Sequence, residues 1–187
     1  AIEGYTTKGA WEMSDMFHLK AIELIAKNLR DAVAEAKSGV PGSGREGMAL
    51  AQYIAGMGFS NVGLGVDHSM AHTLSAHFDT PHGVACAMLL PIAMEFNKPV
   101  VTERLAQVAV AMGVDTAGMS TDEAADAAIA AVKQLSVDVN IPTVCEAITE
   151  DELDTLTRDA MADACFPGNP REATYDDVMG MFRKIMK

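Results

Sequence analysis

The sequence predicts an all-α domain, and three observations carry that expectation. Apolar residues recur at three-and-four spacing along most of the chain. The segments so patterned are separated by glycine- and proline-rich breakers or opened by capping-box sequences. No convincing run of strand-like alternation and no repeat period occurs. With 187 residues, 49% of them apolar and 21% charged, the chain is long enough for one domain with a substantial buried core.

The elements follow in order. Met13 to Lys37 carries Met16, Leu19, Ile22, Leu29 and Val33 near one helix face, and the breaker Ser38-Gly39-Val40-Pro41-Gly42-Ser43-Gly44 stops it. A second helix is expected from about Arg45 towards Phe59, with a loop from Ser60 to Gly65. Val66 to His77 reads as a short helix broken at Asp79-Thr80-Pro81, and Gly83 to Phe96 as a buried apolar helix that Pro91 should kink or bound. Val100 to Met112 gives a further helical pattern. Ser120-Thr121-Asp122-Glu123 opens an alanine-rich helix to about Val139, and Thr149-Glu150-Asp151-Glu152 opens one to Ala164. Thr174 with Asp177 starts the last, whose basic end at Arg183 and Lys184 suits the C-terminal dipole.

Charge narrows the function classes. Fourteen basic against 26 acidic residues leave a net charge of -12, which repels phosphate backbones and anionic lipid, so neither nucleic acid nor a membrane is expected as a partner. No stretch approaches about 20 unbroken apolar residues, and the N-terminus has no basic region leading into an apolar one. Cys86, Cys145 and Cys165 are odd in number and lack metal-finger spacing, which argues against a disulfide framework and for a cytoplasmic setting. The 13 methionines fall at helical spacing, where core filling is the ordinary role. The opening at Ala1 without an initiator Met fits either its removal or an upstream segment.

Four of the five histidines fall between His68 and His82. On a helix, His68 and His72 project from one face about one turn apart. A turn at Pro81 could swing His82 back towards them, and three imidazoles so placed suit a first-row transition metal. Spacing alone leaves this reading and an ordinary hydrogen-bonded histidine face both open, because no Glu follows the first His as in a zinc-protease helix. His18 and His77 read as structural or solvent-facing, and Asp79 as part of a turn.

The run Gly65-x-x-His68-x-x-Ala71-His72, followed by Pro81-His82-Gly83, Leu90-Pro91 and Glu95-Phe96-Asn97, resembles the signature of the iron-containing alcohol dehydrogenases. Ala1-Ile2-Glu3-Gly4-Tyr5, the stretch from Ala51 to Asn61, and Gly168-Asn169-Pro170-Arg171-Glu172 extend the likeness from end to end, and within the family it is greatest to the lactaldehyde (1,2-propanediol) reductases. The resemblance implies the helical C-terminal domain of the dehydroquinate synthase-like, iron alcohol dehydrogenase fold. It implies that His68 and His82 are metal ligands, that His72 lines the substrate site and relays a proton, and that Phe59 and Cys165 lie around the nicotinamide and substrate. Three positions depart from the family: Asp67 is usually apolar there, Ser75 usually Gly, and His77 often aromatic.

The family's Asp-x-x-x-His element, which precedes the segment resembling Ala1-Ile2-Glu3, is not in this sequence, nor is a glycine-rich dinucleotide turn after a strand. Residues 1–187 are therefore expected to be the helical metal-binding domain, with the NAD-binding α/β domain outside them and an upstream segment now the better account of Ala1. The parent reaction implied is reversible hydride transfer between NAD(H) and a small alcohol or aldehyde, with Fe(II), or Zn(II) by affinity order, as Lewis acid. The chain alone is expected to be inert, to bind divalent metal weakly through two imidazoles, to expose an apolar histidine-lined face, and to associate as a homo-oligomer. Two alternatives stand beside this: a zinc polyol dehydrogenase of the glycerol dehydrogenase type, and a stand-alone helical module with structural histidines.

Overall fold

The computed structural model describes residues 1–187 as eight α-helices and two short 3-10 turns, with no strand beyond one isolated bridge between Cys145 and Met186. The helices are α1 (Ile2–Thr6), α2 (Glu12–Ser38), α3 (Gly44–Val62), α4 (Val66–Phe78), α5 (His82–Ala111), α6 (Thr121–Asp138), α7 (Leu153–Ala162) and α8 (Tyr175–Ile185). The all-α expectation is met.

Sequence caps set several of the boundaries. Gly39 ends α2 in the left-handed region at φ 71°, and the reciprocal Ser120–Glu123 and Thr174–Asp177 boxes open α6 and α8. The Thr149–Glu152 box opens the 3-10 turn Glu150–Glu152, which leads into α7. A cap from outside the helix completes α3: the Glu35 carboxylate of α2 accepts from the amides of Gly44 at 2.8 Å and Arg45 at 3.0 Å.

Four boundaries differ from expectation. The second helix runs on to Val62, which leaves Gly63–Gly65 as the connection to α4. The helix through Leu153 stops at Ala162 instead of Ala164. Ile2–Thr6 forms a short helix where none was expected. The two helices expected on either side of residue 98 are present but joined without a loop: α5 passes through Pro91 and Pro99 and kinks at Val101 (φ -131°, ψ 24°), so the break falls at Val101. A proline inside a helix costs about 3 kcal/mol. Burial of Met88, Leu89, Ala93 and Met94 around Pro91 outweighs that cost.

α5 joins two cores. One contains 17 buried residues, among them Met70, Leu74, Leu89, Leu153, Leu156 and Phe182, and gathers α4, α7 and α8. The other has 11, among them Tyr5, Ile22, Leu105, Val108 and Ile129, and gathers α1, α2 and α6. Ala93 belongs to the first and its neighbour Met94 to the second, which is why α5 is apolar on all sides. By length and composition α5 could cross a membrane, but Glu95, Lys98, Glu103 and Arg104 interrupt it and its apolar positions are divided between the two cores. It is a core helix.

Between α2, α5 and α6 an apolar hollow of about 360 Å³ is lined by Ile22, Leu29, Leu90, Met112, Val132 and Ile141, and it reaches Gly83 beside His82.

Candidate metal centre

The site begins with the entry into α4. Gly65 cannot cap this helix with a side chain, and Glu3 of α1 does so from across the fold. The Glu3 carboxylate is 5% exposed and accepts from the Asp67 amide at 2.7 Å and the His68 amide at 3.2 Å. It also accepts from the ring of His68, whose Nδ1 lies 2.6 Å away. With Nδ1 donating to the carboxylate, Nε2 is the His68 ring nitrogen left to act as a ligand. Gly65 is required by the close approach here, because a Cβ on it would stand 2.8 Å from Asn169 Oδ1 and 3.0 Å from Glu3 Oε1.

A second clamp holds the same corner. Asn97 of α5 and Asn169 exchange amide hydrogen bonds at 2.9 and 2.8 Å, while Asn169 Oδ1 also accepts from the Val66 amide at 3.2 Å. Arg171 donates to the Phe96 carbonyl at 2.6 Å and stacks over the Phe96 ring at 4.2 Å. The Glu95-Phe96-Asn97 and Asn169-Pro170-Arg171 runs thus interlock, and they position the start of α4.

From this fixed start the three histidines converge. One turn of α4 separates His68 from His72, with ring centroids 6.0 Å apart. His82 is the first residue of α5, and the left-handed Asp79 (φ 52°) turns the chain so that its ring comes within 5.4 Å of His68 and 5.3 Å of His72. Burial, and the nearby His68 and His72, lower the pKa of His82, which favours the neutral, lone-pair-bearing form. His72 is held like His68, through Nδ1 to Asp163 Oδ2 at 2.9 Å. Burial raises the Asp163 pKa, but the Cys165 amide and the His72 ring overcome it and hold the carboxyl below its ordinary value. Both rings thus have Nδ1 engaged by a carboxylate and Nε2 turned away from it.

Cys165 sits beside this pair, with one donor atom each of His72, Asp163 and Cys165 within 4.8 Å of one another. Burial, and the Asp163 charge, push its thiol up to about 11, so it is a protonated lining group. Phe59 lies half-buried in the last turn of α3, ahead of the connection into α4. Asp67 is 2% exposed, and its Oδ1 has no partner. Burial, and the Glu3 charge, raise its pKa well above the ordinary carboxylate value, which favours a neutral acid beside His68. Cys86, one turn after His82 on α5, brings its sulfur to 3.6 Å from His82 Nε2. His77 is exposed and pairs with Asp159 at 2.7 Å, and His18 is fully buried elsewhere.

Sequence reading missed Glu3, Asp163 and Cys86. Glu3 and Asp163 meet their histidines across 65 and 91 residues of chain, a separation no local period reveals. Cys86 was accessible in principle, since His82-x-x-x-Cys86 is the same spacing as His68-x-x-x-His72. The donor set fits a first-row divalent metal: two imidazoles converge, and His68 is oriented by a buried carboxylate behind it.

The pattern described as "Fe-containing alcohol dehydrogenase family, C-terminal" matches residues 1–186. Lactaldehyde reductase of Escherichia coli (strain K12) is 48% identical over 184 residues, covering 97% of this chain and 47% of that protein. The 1,3-propanediol dehydrogenase of Klebsiella pneumoniae is 39% identical over 186 residues, covering 98% of this chain and 47% of its own length. A crystal structure of a 1,3-propanediol oxidoreductase superposes with a TM-score of 0.93 at 39% identity, over 97% of this chain and 47% of that one. The chain spans about half the length of the curated relatives it matches.

Proposed function

The chain belongs to the iron-containing alcohol dehydrogenase family, matching its C-terminal domain, and from that premise we propose that it is the metal-holding half of an oxidoreductase for small alcohols and aldehydes. The substrate class is that of lactaldehyde and 1,2-propanediol, and the hydride partner is NAD(H). In this reading residues 1–187 form one helical domain, and a dinucleotide-binding α/β domain lies outside them in the intact protein. The observation that carries the proposal is the convergence of His68 and His82, at 5.4 Å, from two different helices.

His68 and His82 hold the metal, with Fe(II) the ion implied by the family and Zn(II) favoured by intrinsic affinity. When bound, the metal supplies Lewis-acid polarisation of the substrate oxygen. Glu3 keeps the His68 lone pair aimed into the cleft. His72, pinned at Nδ1 by Asp163, receives or returns a proton at Nε2 and passes it towards solvent, to which its side chain is 42% open. Cys165 and Phe59 shape the apolar wall against substrate and nicotinamide.

The test compares the chain alone with a version joined to the matching upstream half of a relative. The joined protein supplied with Fe(II) should oxidise 1,2-propanediol with NAD, and His82→Ala should abolish that activity. The chain alone should be inert; NAD-dependent turnover by it would overturn the division of labour. Calorimetric titration of the chain with Zn(II) checks the ligands, because binding unaffected by His68→Ala would place the metal elsewhere.

A further inference from the structure

Three helices turn apolar stripes towards the hollow between α2, α5 and α6, and the stripes have the spacing of faces that pack against a further helix. Ile22, Ile25 and Leu29 of α2 line it at i, i+3 and i+7, and Val132 and Leu135 of α6 repeat those intervals with Val139 at its C-cap. α5 contributes the small residues Gly83 and Ala87, one turn apart, and a Cβ added at Gly83 would meet no atom within 4 Å. Ile22, Val132 and Leu135 are buried, but Ile25, Leu29 and Val139 are only half-buried. Ser136 is the one polar side chain in the wall, so an occupant must be apolar and must satisfy its own backbone, as a helix does. An apolar cavity of about 150 Å³ stays dry and takes one benzene-sized group, and this hollow of about 360 Å³ therefore has room for about two. Side chains that fill it from one helix face, at i, i+3 or i+4 and i+7, span two turns, or about 11 Å.

The direction of entry is set by α1. Ala1 and Ile2 stand in the wall of the hollow. α1 opens at Ala1 without a side-chain cap, and Glu3 to Thr6 are already buried, so a helix continuing α1 backwards runs along that wall. The relatives carry about half of their length outside the part that matches this chain. Resting on the reading that the intact protein has an upstream half, we infer that the hollow seats an apolar helical stretch running into α1 from that half, so that α2, α5 and α6 share one core with it. The halves then meet through common packing as well as across the histidine cleft. Because the hollow reaches Gly83, filling it also steadies the first turn of α5, which carries His82.

The test follows a thiol placed in the hollow by Leu29→Cys, on a helix that carries none of the cleft residues. Its alkylation by iodoacetamide, read by peptide mass spectrometry, should be at least about tenfold slower in the protein joined to the upstream half of a relative than in the chain alone. A chain carrying only about 11 residues of that half directly before Ala1 should show the same slowing and a higher urea midpoint, although it has no dinucleotide domain. Replacing the apolar residues of that stretch by serine in the joined protein should restore fast alkylation. Cys165, in the cleft, reports separately on docking of the upstream half. Slower alkylation of Cys165 with no change at Leu29→Cys overturns the inference and leaves the two-half reading standing, as does slowing at Leu29→Cys that survives the serine replacements. Neither thiol slowed, in a joined protein without NAD-dependent activity, overturns both.

Discussion

Glu3 and Gly4 are neighbours in α1, and each meets a histidine, but the two histidines are used in opposite ways. Glu3 takes the ring Nδ1 of His68 and the two amides at the head of α4, so that ring is hydrogen-bonded, partly open and aimed. Gly4 faces His18, a fully buried ring clasped between Gly4 and Gly58 with neither nitrogen hydrogen-bonded. Burial lowers the pKa of His18 to about 4, which favours the neutral ring as an uncharged aromatic spacer among α1, α2 and α3. A histidine becomes a candidate functional group here through a carboxylate behind it and free space in front. Burial alone does not confer that role.

The largest effect should come from removing the carboxylate on the cleft side. Glu3→Ala strips the acceptor from three donors, and at about 1–3 kcal/mol for each buried donor left unpaired the loss should be about 4 kcal/mol, read as a lower urea midpoint. A loss below about 1 kcal/mol would mean that water replaces Glu3 and that the carboxylate does not hold this corner.

Acid should act on the other side. His18 has its folded pKa below its unfolded value of about 6.5. Its contribution is therefore fully present above that pH and is lost as pH falls towards about 4, a change of about 3 kcal/mol. Asp67 works in the opposite sense: its folded pKa is raised, so its contribution is present in acid and is lost as pH rises through that value. Comparing the chain with His18→Leu separates the two, since Asp67 is common to both. The difference between their stability curves should open between pH ~6.5 and ~4, and a difference independent of pH would contradict the buried, unpaired ring.

Gly58→Ala tests the clasp itself. The added Cβ would lie 2.4 Å from His18 Nε2, and overpacking of this kind costs about 1–3 kcal/mol. In a His18→Ala background the same change should be relieved, and a double-mutant cycle with no coupling would show that the ring and the glycine do not meet.

The smallest effect on stability should accompany a clear spectroscopic one. Asp163→Asn touches a pair whose side chains are 42% and 20% exposed, so stability should change by less than about 1 kcal/mol. The ring nitrogens of His72, followed by ¹⁵N NMR, should lose the single Nδ1–H tautomer that the carboxylate selects. An unchanged ring spectrum would remove Asp163 from the orienting role.

Much of this protein was legible in its sequence, because much of it is decided within a turn or two of chain. The Ser120–Glu123 and Thr174–Asp177 boxes announced their helices, Gly39 marked the end of α2, and the four-residue spacing of His68 and His72 placed two rings on one face. The break at Pro81 suggested His82, and family resemblance added Phe59 and Cys165 as residues to examine and Asp67 as a departure whose burial the structure then displayed. The tertiary structure alone decided that α5 continues through Pro91, that Glu3 caps α4 and holds His68, that Asp163 holds His72, and that His18 has no partner. Caps and helical faces depend on neighbours three or four residues away. The protonation, direction and burial of a side chain depend on groups that folding brings up from sixty to a hundred residues away.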